Sequence, residues 1–146
     1  MQNHQDQERA LNIISEISDL LASLLALKKS GKFQQAINMI DDTLLRHFDF
    51  DSASINFVSE DFLNEVYEEN NRISTDITDS LASLLQEKGD LLYSQNRFEE
   101  SRNILNNALT IYFLLNDQQD FFSFERMNKM VLINKKLSSI DLNFSS

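Results

Sequence analysis

Apolar residues recur at intervals of three and four along most of the chain, which is the spacing of one face of an α-helix. Cations followed by a glycine, in the stretch KKSG at 28–31, indicate the end of a first helix. The pattern gives six such helical segments and no convincing strand, so it predicts an all-α chain. The predicted helices, about six in number and arranged as antiparallel hairpins, cover approximately residues 10–27, 32–48, 59–71, 76–96, 97–115 and 120–138.

The glycine and proline content supports this prediction. The 146 residues include two glycines and no proline, whereas hairpin-rich β folds depend on these residues for their turns. A chain of this length fits one domain, which we expect to span residues 1–146. The absence of cysteine excludes disulfides, thiolate metal sites and a thiol nucleophile.

The stretch from Leu85 to Phe113 resembles the tetratricopeptide repeat, a helical hairpin of about 34 residues. In this family small residues allow two antiparallel helices to approach, and large residues fill the grooves between them. The resemblance implies a superhelix of stacked hairpins and supplies no activity. The matching positions are Leu85, Gly89, Leu92, Phe98, Ser101, Leu105 and Ala108.

A second and weaker copy is obtained by a shift of 65 residues, which places Phe33 on the position of Phe98. Leu24 then occupies the place of the close-packing Gly89. The identical sequence LASLL at 21–25 and 81–85 is offset by 60 and does not belong to this register. The remaining equivalent positions are Leu20, Leu27, Ala36, Ile40, Thr43 and Phe48.

The two expected hairpins, at about 18–48 and 82–115, do not follow each other directly. About thirty residues separate them, so the array is interrupted by the helix predicted at 59–71, and a C-terminal helix follows at about 120–138. As a whole the chain resembles an uncharacterised family of small bacterial repeat-like proteins, with ALKKSGKFQQAINMIDDTLL at 26–45 as the recognisable core.

The charge balance limits the classes of partner. A formal net charge of −10 disfavours nucleic acid, because a polyanion requires a cationic binding surface. The first ten residues lack the basic patch and apolar run of a secretory signal, and we expect no apolar stretch of membrane-spanning length. These features favour a cytoplasmic protein that binds neither nucleic acid nor membrane.

Few residues suggest chemistry. His4 and His47 are the only histidines, and no motif places a nucleophile beside a base and an orienting group. Asp49, Asp51 and Glu60 fit positions 1, 3 and 12 of a calcium loop, but Ala53 and Ser54 fail positions 5 and 6. We therefore expect no metal, cofactor or catalytic residue. The acids at 60–69 fit a solvated helix face better than a docking patch or metal carboxylates.

The leading hypothesis is a non-enzymatic helical module that binds a protein or peptide, since the recognisable pattern specifies packing. The alternative is an enzyme or small-ligand carrier with a pocket between the hairpins, built from Tyr93, His47 or the acids near Glu65. The cation and amide of a carboxylate-binding clamp are absent, because Gln86 and Asp90 stand in their places. The expected partner-binding face consists of Leu21, Leu25, Lys28, Lys29, Ser83, Gln86, Glu87, Asp90 and Tyr93.

Self-association as a dimer is a further expectation. The first helix carries an apolar stripe of Leu11, Ile14, Ile17, Leu21 and Leu24, and the last carries three phenylalanines and two methionines. A single neighbouring helix does not cover that much apolar surface. The alternative is a compact monomer in which the terminal helices cover each other.

Overall fold

The computed structural model describes residues 4–48, 72–118 and 123–145, which form five α-helices. The described residues contain no strand, so the all-α prediction is confirmed. The helix predicted at 59–71 lies outside the described residues. The helices are α1 (His4–Lys29), α2 (Phe33–Phe48), α3 (Arg72–Ser94), α4 (Phe98–Gln118) and α5 (Phe124–Ser145).

The helices pack in chain order. Helices α1 and α2 form an antiparallel hairpin, and α3 packs against both of them. Helices α3 and α4 form a second hairpin, which is the most extensive contact in the molecule, and α5 packs on α4. The central position of α3 explains why the side chains in its middle are buried, from Leu81 to Gln86.

The turns of the two hairpins repeat each other. Gly31 has φ +71° and Asn96 has φ +62°, so each turn uses one left-handed residue. The amide of Lys32 donates to the carbonyl of Leu27, and that of Arg97 to the carbonyl of Leu92, both at 2.9 Å. These equivalent hydrogen bonds are 65 residues apart. Asparagine tolerates the left-handed region better than most residues, which explains a glycine-free second turn.

The two hairpins differ where their helices cross. A Cβ on Gly89 would lie 2.4 Å from Cδ2 of Leu105, so α3 and α4 approach as closely as a glycine permits. The Ser101 hydroxyl donates a 2.7 Å hydrogen bond to the Gly89 carbonyl across this crossing. In the first hairpin the position of Gly89 holds the fully buried Leu24, whose side chain must fit between the helices. The first hairpin therefore has the less extensive contact.

The identical LASLL segments occupy different environments. All five residues at 81–85 are buried, whereas Leu24 is the single buried residue at 21–25. The offset of 60 therefore does not relate equivalent positions. Both terminal helices are also longer than predicted, since α1 begins at His4 and α5 extends to Ser145. No proline or glycine lies within either stretch to end the helix earlier.

Candidate functional site

Helix α1 carries apolar residues on two faces. Its inward face holds Ile17 and Leu24, each 1% exposed, and the nearly buried Leu20. On the opposite side, Leu11 and Leu25 are each 57% exposed. The predicted dimer stripe is therefore wrong in part, because Ile17 and Leu24 belong to the core of the same chain. The residues along this side, called the α1 stripe below, are Leu11, Ile14, Ser18, Leu21 and Leu25. Of these, Ile14 is half-buried and Leu21 is half-buried against the core.

The α1 stripe leads to charged residues on α3. Lys28 lies one helical turn beyond Leu25, and its Nζ is 2.5 Å from Oε2 of Glu87. Both side chains of this ion pair remain about one-third exposed, so solvent screens the interaction. Lys29 is exposed beside them. The surface of α1 is thereby continuous with that of α3.

Asp90 lies one turn beyond Glu87 on the same side of α3. Burial raises the pKa of its carboxyl above the usual value. The nearby cations Lys136 and Lys28 oppose this rise, and the negative charge of Glu87 adds to it. Nζ of Lys136 lies 4.3 Å from the centre of the Tyr93 ring, a cation–π contact between α5 and α3. The α1–α3 face is the α1 stripe together with Lys28, Lys29, Glu87 and Asp90.

Two residues of the predicted partner-binding face are buried instead. Ser83 and Gln86 lie beneath α5, where Nζ of Lys129 donates a 3.0 Å hydrogen bond to the Ser83 hydroxyl. The side-chain amide of Gln86 donates to the backbone carbonyl of Lys129 at 3.4 Å. These two residues hold the last helix, so the accessible face is smaller than the sequence indicated. Tyr93 is half-buried against Phe98, with ring centres 5.2 Å apart, and is covered by Lys136.

A layer of polar side chains lies where α5 packs on α3 and α4. The hydroxyl groups of Tyr112 and Ser83 are 3.2 Å apart, and burial raises the pKa of the Tyr112 phenol. Arg126 is 5% exposed, and its guanidinium donates a 3.1 Å hydrogen bond to the side-chain oxygen of Asn116. Nε of Arg126 lies 3.7 Å from Oδ1 of Asp79, whose pKa is raised mainly by burial. Every one of these groups faces another helix, so the layer fixes the position of α5.

The side chain of His47 on α2 is paired with a carboxylate on α1. Its Nε2 lies 2.7 Å from Oε2 of Glu16, and Nη2 of Arg46 lies 2.7 Å from Oε1 of the same carboxylate. The hydrogen bond from Arg46 is the largest cause that lowers the pKa of Glu16, followed by that from His47. The three residues join α1 to α2 at the protein surface.

The parts of the chain that the structure describes contain no group of three or more histidine, aspartate and glutamate side chains that could hold a metal ion. The calcium-like stretch from Asp49 to Glu60 and the acids at 60–69 lie outside the described residues.

One helix has the length and composition of a membrane span. The segment Glu8–Lys29 has a mean hydropathy of 1.6 over its most apolar part. The expectation that no stretch approaches this length is therefore wrong for α1. Its core-facing side packs against α2 and α3, and 22% of the most apolar part is buried. Core helices of water-soluble proteins and signal sequences meet the same criterion.

Comparisons with known proteins find no match for this chain among family models, curated proteins or solved structures. Function must therefore be inferred from the residues and their geometry.

Proposed function

We propose that the protein is a non-enzymatic helical module that binds a protein or peptide through its α1–α3 face. The observation that carries the proposal is the exposure of Leu11 and Leu25 on a helix whose other side already supplies the core. Large side chains surrounded by polar residues are typical of protein-binding surfaces. Lys28, Lys29, Glu87 and Asp90 add charges of both signs at one end of this surface, which favours a partner that carries charged groups beside an apolar residue.

We further propose that the five helices form a stack of hairpins similar to the tetratricopeptide repeat. Two observations support this architecture: α3 packs against both helices of the first hairpin as well as against α4, and the turns repeat with an offset of 65 residues. In such stacks the first helices of successive hairpins line one side, here α1, α3 and α5. The bridges from Lys28 to Glu87 and from Lys136 to Tyr93 join these three helices.

The alternative of an enzyme or ligand carrier has less support. His47 is bound to Glu16 between α1 and α2, whereas Tyr93 is covered by residues of α4 and α5. These residues do not converge on one site, as acid–base catalysis would require.

A cytoplasmic location is also part of the proposal. Insertion of α1 into a membrane would remove Ile17, Leu20 and Leu24 from the core that they form with α2 and α3. Fractionation of cells that produce the protein should therefore recover it in the supernatant after ultracentrifugation, and recovery in carbonate-washed membranes would contradict this location.

Affinity capture tests the proposed face. The immobilised full chain is exposed to a lysate of cells that produce the protein, and bound proteins are identified by mass spectrometry. Leu25→Glu and Asp90→Lys should each reduce capture of a specific partner at least tenfold. The matched control is Leu132→Glu, which changes an equally exposed leucine on α5, 57% exposed, and should leave capture unchanged. Equal capture by all variants, or loss with the control alone, would contradict the proposal.

A further inference from the structure

The α1 stripe has a distribution of side-chain sizes that suits a second copy of itself. Its large residues lie towards the two ends, Leu11 and Ile14 near one and Leu21 and Leu25 near the other. Between them, Ser15 and Ser18 are exposed and small. Helices approach most closely where their side chains are small, and larger side chains then interdigitate on either side.

The two most exposed leucines are also symmetric about Ser18, since Leu11 and Leu25 lie seven residues before and after it. A twofold axis at Ser18 therefore places Leu11 of one copy opposite Leu25 of the other.

The charges of α1 fit the same arrangement. Glu8 is exposed near the start of the helix and Lys29 is exposed in its last turn, ten and eleven residues from Ser18. An antiparallel pair brings each glutamate towards the lysine of the other copy. A parallel pair would instead place like charges together. Charge complementarity of this kind selects the orientation of an interface more than it adds to affinity.

We propose that the α1 stripe is the interface of an antiparallel homodimer with its twofold axis at Ser18. This inference rests on the proposed function, because it names the partner of the same face. The contact is isologous, so it closes on itself and produces a dimer. Each chain contributes a stripe that spans about 21 Å from Leu11 to Leu25.

The molar mass in solution is the first test. Sedimentation equilibrium of the full chain should give twice the chain mass of 16.9 kDa at micromolar concentration. Leu11→Glu and Leu25→Glu should each weaken dimerisation at least tenfold while circular dichroism retains the helical content. Leu132→Glu is the control of equal exposure and should remain dimeric. A mass of one chain at every concentration would overturn the inference, as would a dimer that Leu132→Glu alone disrupts.

Cysteine cross-linking tests the orientation, and the absence of native cysteine leaves each variant with a single thiol. A disulfide requires Cα atoms within about 7 Å, so Ser18→Cys should form a covalent dimer under mild oxidation. A mixture of Leu11→Cys and Leu25→Cys chains should cross-link to each other, whereas Leu11→Cys alone should not. Ser138→Cys, an exposed serine on α5, is the control that should stay monomeric under denaturing conditions. Efficient cross-linking of Leu11→Cys with itself would indicate a parallel pair and overturn the antiparallel interface.

If the α1 stripe binds a membrane or a different protein, the experiments give results that differ from those of a homodimer. A chain that remains monomeric but floats with neutral phospholipid vesicles, and loses this with Leu11→Glu, would assign the stripe to a membrane surface. A monomeric chain that still captures a different protein through Leu25 would leave the proposed function intact and overturn the homodimer alone.

Discussion

Gly89 determines how closely α3 and α4 can pack. A methyl group at this position would meet Leu105, with Cγ and Cδ2 at 2.5 and 2.4 Å from the added Cβ. Cγ is the branch point of the leucine side chain, so the clash cannot be relieved by moving a flexible end. The helices themselves would have to separate.

Gly89→Ala should therefore lower the free energy of unfolding by about 1–3 kcal/mol, because overpacking outweighs the gain in helix propensity. Urea denaturation followed by circular dichroism measures the change. Gly31→Asn is the control, since Gly31 has no heavy atom within 4 Å of an added Cβ and asparagine already occupies the equivalent turn position. Leu105→Ala should lower the free energy of unfolding by less in the Gly89→Ala variant than in the wild type, because it removes the side chain that the added methyl group meets. A neutral or stabilising Gly89→Ala would contradict the close crossing.

Asp90 provides a prediction about pH. Burial raises the pKa of its carboxyl in the folded protein, so the folded state binds this proton more tightly than the unfolded state. The stability that protonated Asp90 contributes is fully present below about pH 3.9, the pKa of an aspartate in the unfolded chain. It is lost as the pH rises through the higher pKa that Asp90 has in the folded protein.

Asp90→Asn, which cannot ionise, should therefore be more stable than the wild type at pH 7 and approach it near pH 3. Thermal unfolding between pH 3 and pH 7 measures the difference. Asp19→Asn changes an exposed aspartate on α1 and serves as the control for the loss of a carboxylate at the surface. A wild type more stable than Asp90→Asn at pH 7 would show that the surrounding cations outweigh burial.

The sizes of individual residues in the sequence predicted the close crossing of α3 and α4 but not which polar residues are buried. Small residues at Gly89 and Ser101 indicated a close crossing, because steric size is visible in sequence. The burial of Ser83 and Gln86 was not predictable in this way, since it depends on where α5 packs. The polar groups beneath α5 come from three helices, and no local pattern relates Ser83 to Tyr112 or Lys129.

At the level of elements, a buried ion pair joins the two hairpins, in addition to the more exposed pair of Lys28 and Glu87. Nζ of Lys88 on α3 lies 2.7 Å from Oδ1 of Asp41 on α2, and the two side chains are 9% and 19% exposed. Removal of one partner leaves a desolvated charge without compensation, whereas replacement of both is much less costly.

Asp41→Ala should therefore lower the free energy of unfolding by about 3 kcal/mol, and Lys88→Met in the same chain should recover most of the loss. Denaturant unfolding of the single and double variants measures both effects. The neighbouring Asp42 offers a matched control, because its bond to Arg46 lies on the surface and Asp42→Ala should cost no more than about 0.5 kcal/mol. Equal effects at the two aspartates would contradict a buried link between the hairpins.

Element boundaries were partly predictable. The last-turn cations Lys28 and Lys29 and the following Gly31 indicated the end of α1, and the structure places that end at Lys29. The start of α1 at His4 and the end of α5 at Ser145 had no comparable signal, because neither glycine nor proline marks them. The periodicity of α1 identified its apolar residues but could not separate the inward Leu24 from the outward Leu25.

At the level of the whole molecule, packing among the described helices leaves Leu11 and Leu25 of α1 exposed, along with large side chains elsewhere such as Phe124 and Leu142. Among the described residues, the packing of the helices covers α3 on several sides and leaves Leu11 and Leu25 on the outer side of α1 exposed. Which side of a helix remains exposed depends on long-range packing, so the sequence named six residues of the proposed face but also included Ser83 and Gln86, which lie beneath α5.

Site-specific photo-cross-linking in cells that produce the protein tests this surface most directly. A photoreactive phenylalanine analogue replaces Leu25 in one variant and Leu132 on α5 in another, the two leucines being equally exposed at 57%. Irradiation should give covalent protein adducts from position 25 and none above background from position 132, and an adduct of two chains would identify the partner as a second copy. Adducts from position 132 alone, or none from position 25, would contradict the assignment of the α1–α3 face as the binding surface.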